Sequence, residues 1–291
     1  MTAPSLPTLL VSHWLLAWPL DAIAAVYMLL YGWAASRVRG RWPLSRTISF
    51  LAGIVCVLIA VQSGVERFDD RLLSVHMVQH MLLLLVAPLL LLGARPMILT
   101  LRALPVRHRM TLVRVLHRLR ELMRPIPCLA CFAAAVLLTH LPSFYGATLH
   151  DPALHDLEHG LYLLAGLLLW LPIMDADPVP AQRLGAIGRL VYVLGAMLPM
   201  ALVGAYLNRH ASLVYPAYGP PARALGASAV VDQQQAGAIM WVASSMIMVI
   251  VGLWASITAL VAEERRQRGR DAHAPQPLAI PDPIVPGTQP R

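Results

Sequence analysis

The sequence predicts an all-α fold: a polytopic membrane helix bundle of about seven transmembrane helices, with the N-terminus outside and the C-terminus inside. Three observations carry that expectation. Over 291 residues, 58% are apolar and 13% charged, with mean hydropathy +0.63, whereas a soluble domain carries about 25% charged residues. Seven apolar stretches approach the roughly 20 residues a spanning helix needs, at 14–36, 48–63, 72–92, 127–141, 153–174, 186–207 and 236–261. The basic residues, all of them Arg, divide unevenly between alternate connections.

The first stretch follows MTAPSLPTLLVSHW, which has no Arg and so lacks the basic region of a cleavable signal peptide. The first helix is therefore expected to be retained. Nineteen Arg lie in the connections at 37–47, 93–126 and 175–189 and after residue 262, against four in the others, namely Arg67, Arg71, Arg209 and Arg223. Basic residues collect on the cytoplasmic side, which sets the orientation. Because they are spread over four segments without a recognition motif, no nucleic-acid partner is expected.

The segment 93–126 is too basic to span, yet Met110, Val113, Leu116, Leu119 and Met123 recur at helical spacing opposite Arg107, Arg114, Arg118 and Arg124. It reads as an interfacial cytoplasmic helix on anionic lipid. The organisation expected is a transmembrane domain over 1–262 and an Arg- and Pro-rich disordered cytoplasmic tail over 263–291. Pro19, Pro88 and Pro199 fall within stretches read as spans, where each permits a kink. Cys56, Cys128 and Cys131 form no extracellular disulfide framework, and the C-x-x-C of Cys128 and Cys131 reads as buried packing with two thiolates at most.

On this orientation most histidines lie toward the outer face: His13, His76, His80, His140, His150, His155, His159 and His210. Ionisable residues inside spans are costly and face the bundle interior or a wet cavity. His76 and His80 in HMVQH, and His155 and His159 in HDLEH, are each four apart, so both rings of a pair share one helical face. Two such helices can offer four nitrogens to one or two metal ions, or axial ligands to a haem. Met77 and Met81 lie on the adjoining face, and Met200 and Met240 lie in the outer parts of later spans. Asp156 and Glu158 are placed to orient imidazoles.

Mixed His and Met suit copper, Cu(I) above all. His140 and His150 join the candidate metal set, with packing or loop roles as the alternative. Asp232 in VVDQQQAGAIMW fits an N-cap with Gln235 as its partner, or a place near the metal, together with Gln233 and Trp241.

Three stretches together resemble the CtaG-type cytochrome c oxidase assembly factors, multi-pass proteins of the bacterial inner membrane. They are HMVQHMLLLLVAPLLLLGARP from His76 to Pro96, HLPSFYGATLHDPALHDLEHGLYLLAGLLLW from His140 to Trp170, and the pair LVYPAYGP and DQQQAGAIMW between Leu213 and Trp241. The resemblance implies seven spans, a non-enzymatic role in maturing haem-copper oxidase, and copper as the metal supplied. It also implies oxidase subunits, other copper chaperones and the lipid bilayer as partners. His76, His80, His155 and His159 match the family's histidine positions, and Asp232, Gln233, Gly237 and Trp241 its last motif. The stretch ARALGASAVV before Asp232 lacks the Trp associated with that part of the family.

Oxidase copper centres lie toward the outer, periplasmic side, where the Arg count independently puts these histidines. The alternatives are enzymatic or haem-based. A membrane di-iron oxygenase or desaturase also uses H-x-x-x-H boxes, but needs about eight His and clustered H-x-x-H-H, which is absent. A metalloprotease is suggested by HDLEH as H-x-x-E-H, without a recognisable third ligand. A bis-His haem protein remains the third reading.

Overall fold

The computed structural model describes residues 14–15, 17–38, 40–176, 178 and 182–271, and every regular element among them is helical. Five helices are long and apolar enough to cross a membrane: Leu44–Phe68, Leu73–Ala103, Pro152–Met174, Ala186–Arg209 and Ala229–Arg270. A sixth span arises if Pro125–Thr139 and Pro142–Thr148, bent by 76°, count as one. The first stretch forms Trp18–Arg37, 20 residues with Asp21 in its first turn, and falls outside that set. The structure thus gives five or six such spans among the described residues where the sequence predicts about seven.

Local chemistry explains the ends. Pro19 occupies the first turn of Trp18–Arg37, where its missing N–H has no intrahelical partner to lose, so it starts a helix and does not kink one. Pro88 acts differently: it follows the π-helical turn Leu82–Val86, which lies directly after His80 and Met81. A second π-helical turn, Ile239–Ala243, interrupts the last span. Pro199 is buried inside an uninterrupted helix, Ala186–Arg209. Leu141, extended as the residue before Pro142, makes the sharp bend that ends the helix at Thr139.

The core joins Leu73, Met77, Leu83 and Leu84 to Phe132, Tyr145, Tyr162, Trp170, Met200 and Met240. Many outward residues, among them Leu29, Ile187, Leu198 and Ile250, are exposed apolar side chains, as a lipid-facing surface requires. The Val106–Leu119 helix buries only Leu116, in keeping with an interfacial position. The last helix runs to Asp271, past residue 262 where the tail is expected to begin; 272–291 lie outside the described residues.

The two ends of the bundle are tied differently. At the Arg-rich end, Arg189 is buried, donates to the carbonyls of Ile173, Ala255 and Leu184, and pairs with Asp175. Arg95 donates to the carbonyl of Asp175 at 2.8 Å. At the opposite end, the connections after Gln62, Thr139 and Arg209 meet around tyrosines. The Tyr218 hydroxyl donates to the Asp69 carbonyl at 2.8 Å, and that of Tyr215 to the His140 carbonyl at 2.8 Å. This second end holds the histidines. Cys56, Cys128 and Cys131 form no disulfide among the described residues, and the first two are buried.

Candidate metal centre

Two helix starts and one bend bring the rings together. Asp151 caps the Pro152–Met174 helix, accepting from the Ala153 and Leu154 amides at 2.9 and 3.3 Å. The first turn of this helix, which ends at His155, is therefore fixed. Leu72, at the N-cap of Leu73–Met81, has no capping side chain. Asp232 from the last span supplies one instead, accepting from the Leu73 amide at 2.7 Å and from the Ser74 amide and hydroxyl.

Sequence reasoning expects Asp232 to cap its own helix or to stand near the metal. It lies in the fourth position of Ala229–Ala238 and caps a different helix. The bend after Thr139 then turns His140 inward, where it is 7% exposed.

The ring centroids of His76 and His80 are 4.1 Å apart, those of His155 and His159 4.2 Å, and those of His76 and His155 5.5 Å. His140 joins at 5.8 Å from His80. His76 and His80 are at most 1% exposed. Three acids converge with the rings: Glu158, completely buried, with a carboxylate oxygen 3.9 Å from His80 Nε2; Asp69, 3.4 Å from His155 Nε2; and Glu66.

Three groups have ligand atoms all within 4.8 Å of one another: His76, His80 and Glu158; Asp69, His76 and His155; and Glu66, His155 and His159. His76 and His155 each belong to two. Among the described residues, no protein hydrogen bond reaches His76 Nε2, either ring nitrogen of His80, the Nε2 atoms of His140, His155 and His159, Asp69 Oδ2, or either oxygen of Glu158. Buried polar atoms are almost always partnered, so this concentration of free lone pairs in one place fits a bound cation. Burial, together with the nearby Glu66 and Asp70 carboxylates, pushes the Asp69 carboxyl well above the usual carboxylate range.

The surroundings orient the donors. His140 Nδ1 lies 2.8 Å from the Val136 carbonyl; a carbonyl only accepts, so Nδ1 carries the proton and Nε2 presents its lone pair. Tyr162 stacks on His80 at 4.0 Å between centroids, and its hydroxyl meets Thr139 Oγ1 at 2.6 Å. Gln79 donates to the Ala60 carbonyl at 2.9 Å and to Glu66 at 2.7 Å, which holds that acid toward the cluster.

The remaining candidates sort by position. Met77 and Met81 are buried in the apolar core, one residue and so about 100° round the helix from each His. His150 is exposed and lines a small cavity of about 160 Å³ with Asp69, Asp70, His76 and His155. Asp156 is exposed and lines a larger cavity, about 570 Å³, together with Glu66, His159 and the apolar walls Leu15, Leu20 and Val57. Glu158 stands among the candidate ligands themselves, not behind them.

Gln233 accepts from the Val214 amide at 2.7 Å and donates to the Ser212 carbonyl at 3.0 Å, so it fixes the loop before the tyrosines. Trp241 packs at the Gly204–Gly237 crossing, with the Arg209 guanidinium over its ring. His13 lies outside the described residues.

Glu66, Asp69, Gln79 and Tyr162 are the residues that sequence reasoning misses. The signal for the acids was present: VERFDD follows the second stretch at the end of the bundle to which the histidines were already assigned.

An uncharacterized protein of Mycobacterium bovis and one of Mycobacterium tuberculosis are each 30% identical over 291 residues, 93% of this chain and 43% of theirs. One from Mycobacterium leprae is 28% identical over 290 residues, 91% of this chain and 43% of its own. The chain thus spans less than half the length of these relatives. No solved structure matches it. The family model described as cytochrome c oxidase caa3 assembly factor matches residues 26–260, and the chain belongs to that family.

Proposed function

We propose that this protein assists cytochrome c oxidase assembly by carrying copper as its cargo in the His and carboxylate cluster and passing it to an oxidase subunit at the periplasmic side of the bacterial inner membrane. The observation that carries the reading is the convergence of His76, His80, His140, His155 and His159 with Glu66, Asp69 and Glu158, where a ring nitrogen of each His, one oxygen of Asp69 and both of Glu158 have no protein partner among the described residues. Imidazole binds copper at the top of the divalent affinity order. The carboxylates are harder donors than the thioethers of Met77 and Met81, so the resting ion is Cu(II) in preference to the Cu(I) that the His and Met count suggests.

The Arg asymmetry supports an outward-facing cluster, because the Arg-rich connections lie at the opposite end of the bundle. Ligands shared between neighbouring groups let an ion move by exchanging one donor at a time. That suits a carrier better than a closed cage, and no catalytic role is assigned.

The test is the double substitution His76→Ala and His80→Ala in cells that depend on the oxidase. The protein is expected to stay in the membrane while oxidase activity falls, with partial rescue by added copper. Loss of two direct ligands lowers metal affinity by more than the ~10–100-fold that follows loss of an orienting partner. Unchanged oxidase activity in the double variant overturns the proposal. Metal analysis of detergent-purified protein separates the alternatives, since iron points to the oxygenase-like reading and a Soret band to haem.

A further inference from the structure

We propose that the cluster holds two metal ions at once, an inner ion on His76, His80 and Glu158 and an outer ion on Glu66, His155 and His159, with Asp69 between them. This rests on the metal-carrier reading above and goes beyond it in number and position. The first argument is a count of donors. A neutral imidazole gives one lone pair to a metal, and a square-planar Cu(II) site takes four ligands. Five imidazoles and three carboxylates converge here, twice that number.

The donors also divide in space. The inner three are all buried and share one compact group, to which His140, oriented with Nε2 free, adds a third ring and fourth donor beside His80. The outer three form a separate group in which Glu66 and His155 are only partly buried. Asp69 lies within 4.8 Å of ligand atoms of both His76 and His155, one from each set, as a bridging carboxylate must.

Access divides them as well. Glu66 and His159 line the large cavity between the Trp18–Arg37 and Pro152–Met174 helices, whereas His80 and Glu158 line neither that cavity nor the smaller one beside His150. The outer ion therefore exchanges readily with the surroundings, whereas the inner ion, reached only past His76 from the smaller cavity or through the outer position, exchanges more slowly.

The experiment loads the full-length detergent-purified chain with cupric copper alone, removes excess ion, and measures copper per protein. Two ions are expected for the unaltered chain, and one each for Glu66→Gln and Glu158→Gln. Brief exposure to a chelator is expected to strip the unaltered chain and Glu158→Gln of the outer ion first. The unaltered chain then keeps one ion and Glu158→Gln none.

A single ion in the unaltered chain overturns the two-ion proposal and leaves the carrier reading standing; no ion overturns both. Two ions retained in either variant overturns the assignment of that carboxylate. Size-exclusion profiles report folding, and His159→Gln repeats the outer test if Glu66→Gln does not fold.

Discussion

Gly166→Ala is expected to lower the thermal stability of the detergent-purified protein sharply and to abolish copper retention, and Gly166→Leu to prevent accumulation in the membrane. A Cβ at Gly166 stands 2.2 Å from the Leu84 carbonyl oxygen and 2.6 Å from Pro88 Cγ. Neither neighbour is the free end of a flexible side chain. The oxygen belongs to the π-helical turn just after His80, and the ring is fixed by its own backbone.

Overpacking of this kind costs about 1–3 kcal/mol where the surroundings yield, and here the yielding part is the helix that carries His76 and His80. Close backbone approach at small residues is also a main source of attraction between helices in lipid, so the same change removes contact and adds strain. Gly160 provides the control. A Cβ there meets nothing within 4 Å, and Gly160→Ala is expected to be neutral or slightly stabilising. A thermal shift for Gly166→Ala no larger than that for Gly160→Ala would refute the argument.

The second large effect concerns Asp232. Replacing it with Ala removes the acceptor of the Leu73 and Ser74 amides and of the Ser74 hydroxyl. The Leu73 amide would then be buried without a partner. Loss of an N-cap costs about 0.5–2 kcal/mol and a stranded buried donor about 1–3 kcal/mol; because the same bond underlies both, a loss of about 1–3 kcal/mol is expected.

The charge matters too, because a carboxylate at a helix N-terminus meets the positive end of the helix dipole. Asp232→Asn keeps an acceptor without the charge and is expected to fall between the two. Denaturation in mixed micelles measures the stability order, and copper retention reports whether fraying of the first turn reaches His76. Equal stability of the Ala variant and the unaltered protein would remove Asp232 from its capping role.

The parts of the molecule visible in sequence are those fixed by local periodicity. The helices at 44–62, 152–174 and 186–209 follow the apolar stretches within a few residues, because lipid demands a continuous apolar run. The two H-x-x-x-H pairs were legible for the same reason: four residues is one turn. The Arg distribution put both pairs at one end, where the structure brings them into contact.

What was hidden depends on contacts between distant segments. Asp232 reads as a cap of its own helix because capping motifs are local, yet its partner lies 159 positions away. Glu66 and Asp69 sit in a connection whose charges look solvated until the short Gly64–Phe68 helix folds them under the bundle. Met77 and Met81 share the histidines' helix but not their face, and only the packing of Leu83, Leu84 and Phe132 shows which face meets the core. The break at Leu141 was readable from Pro142; its 76° angle was not.

The dependence of the His76 helix on Asp232 has an implication for biosynthesis. A nascent chain emerges in order, so its first histidine pair is made well before the carboxylate that anchors that helix. Until the final span has been inserted, the leading turn stays open and the cluster remains immature. On the proposed carrier reading, a translation product truncated before Asp232 is expected to carry every imidazole and acid of the cluster and still fail to retain copper.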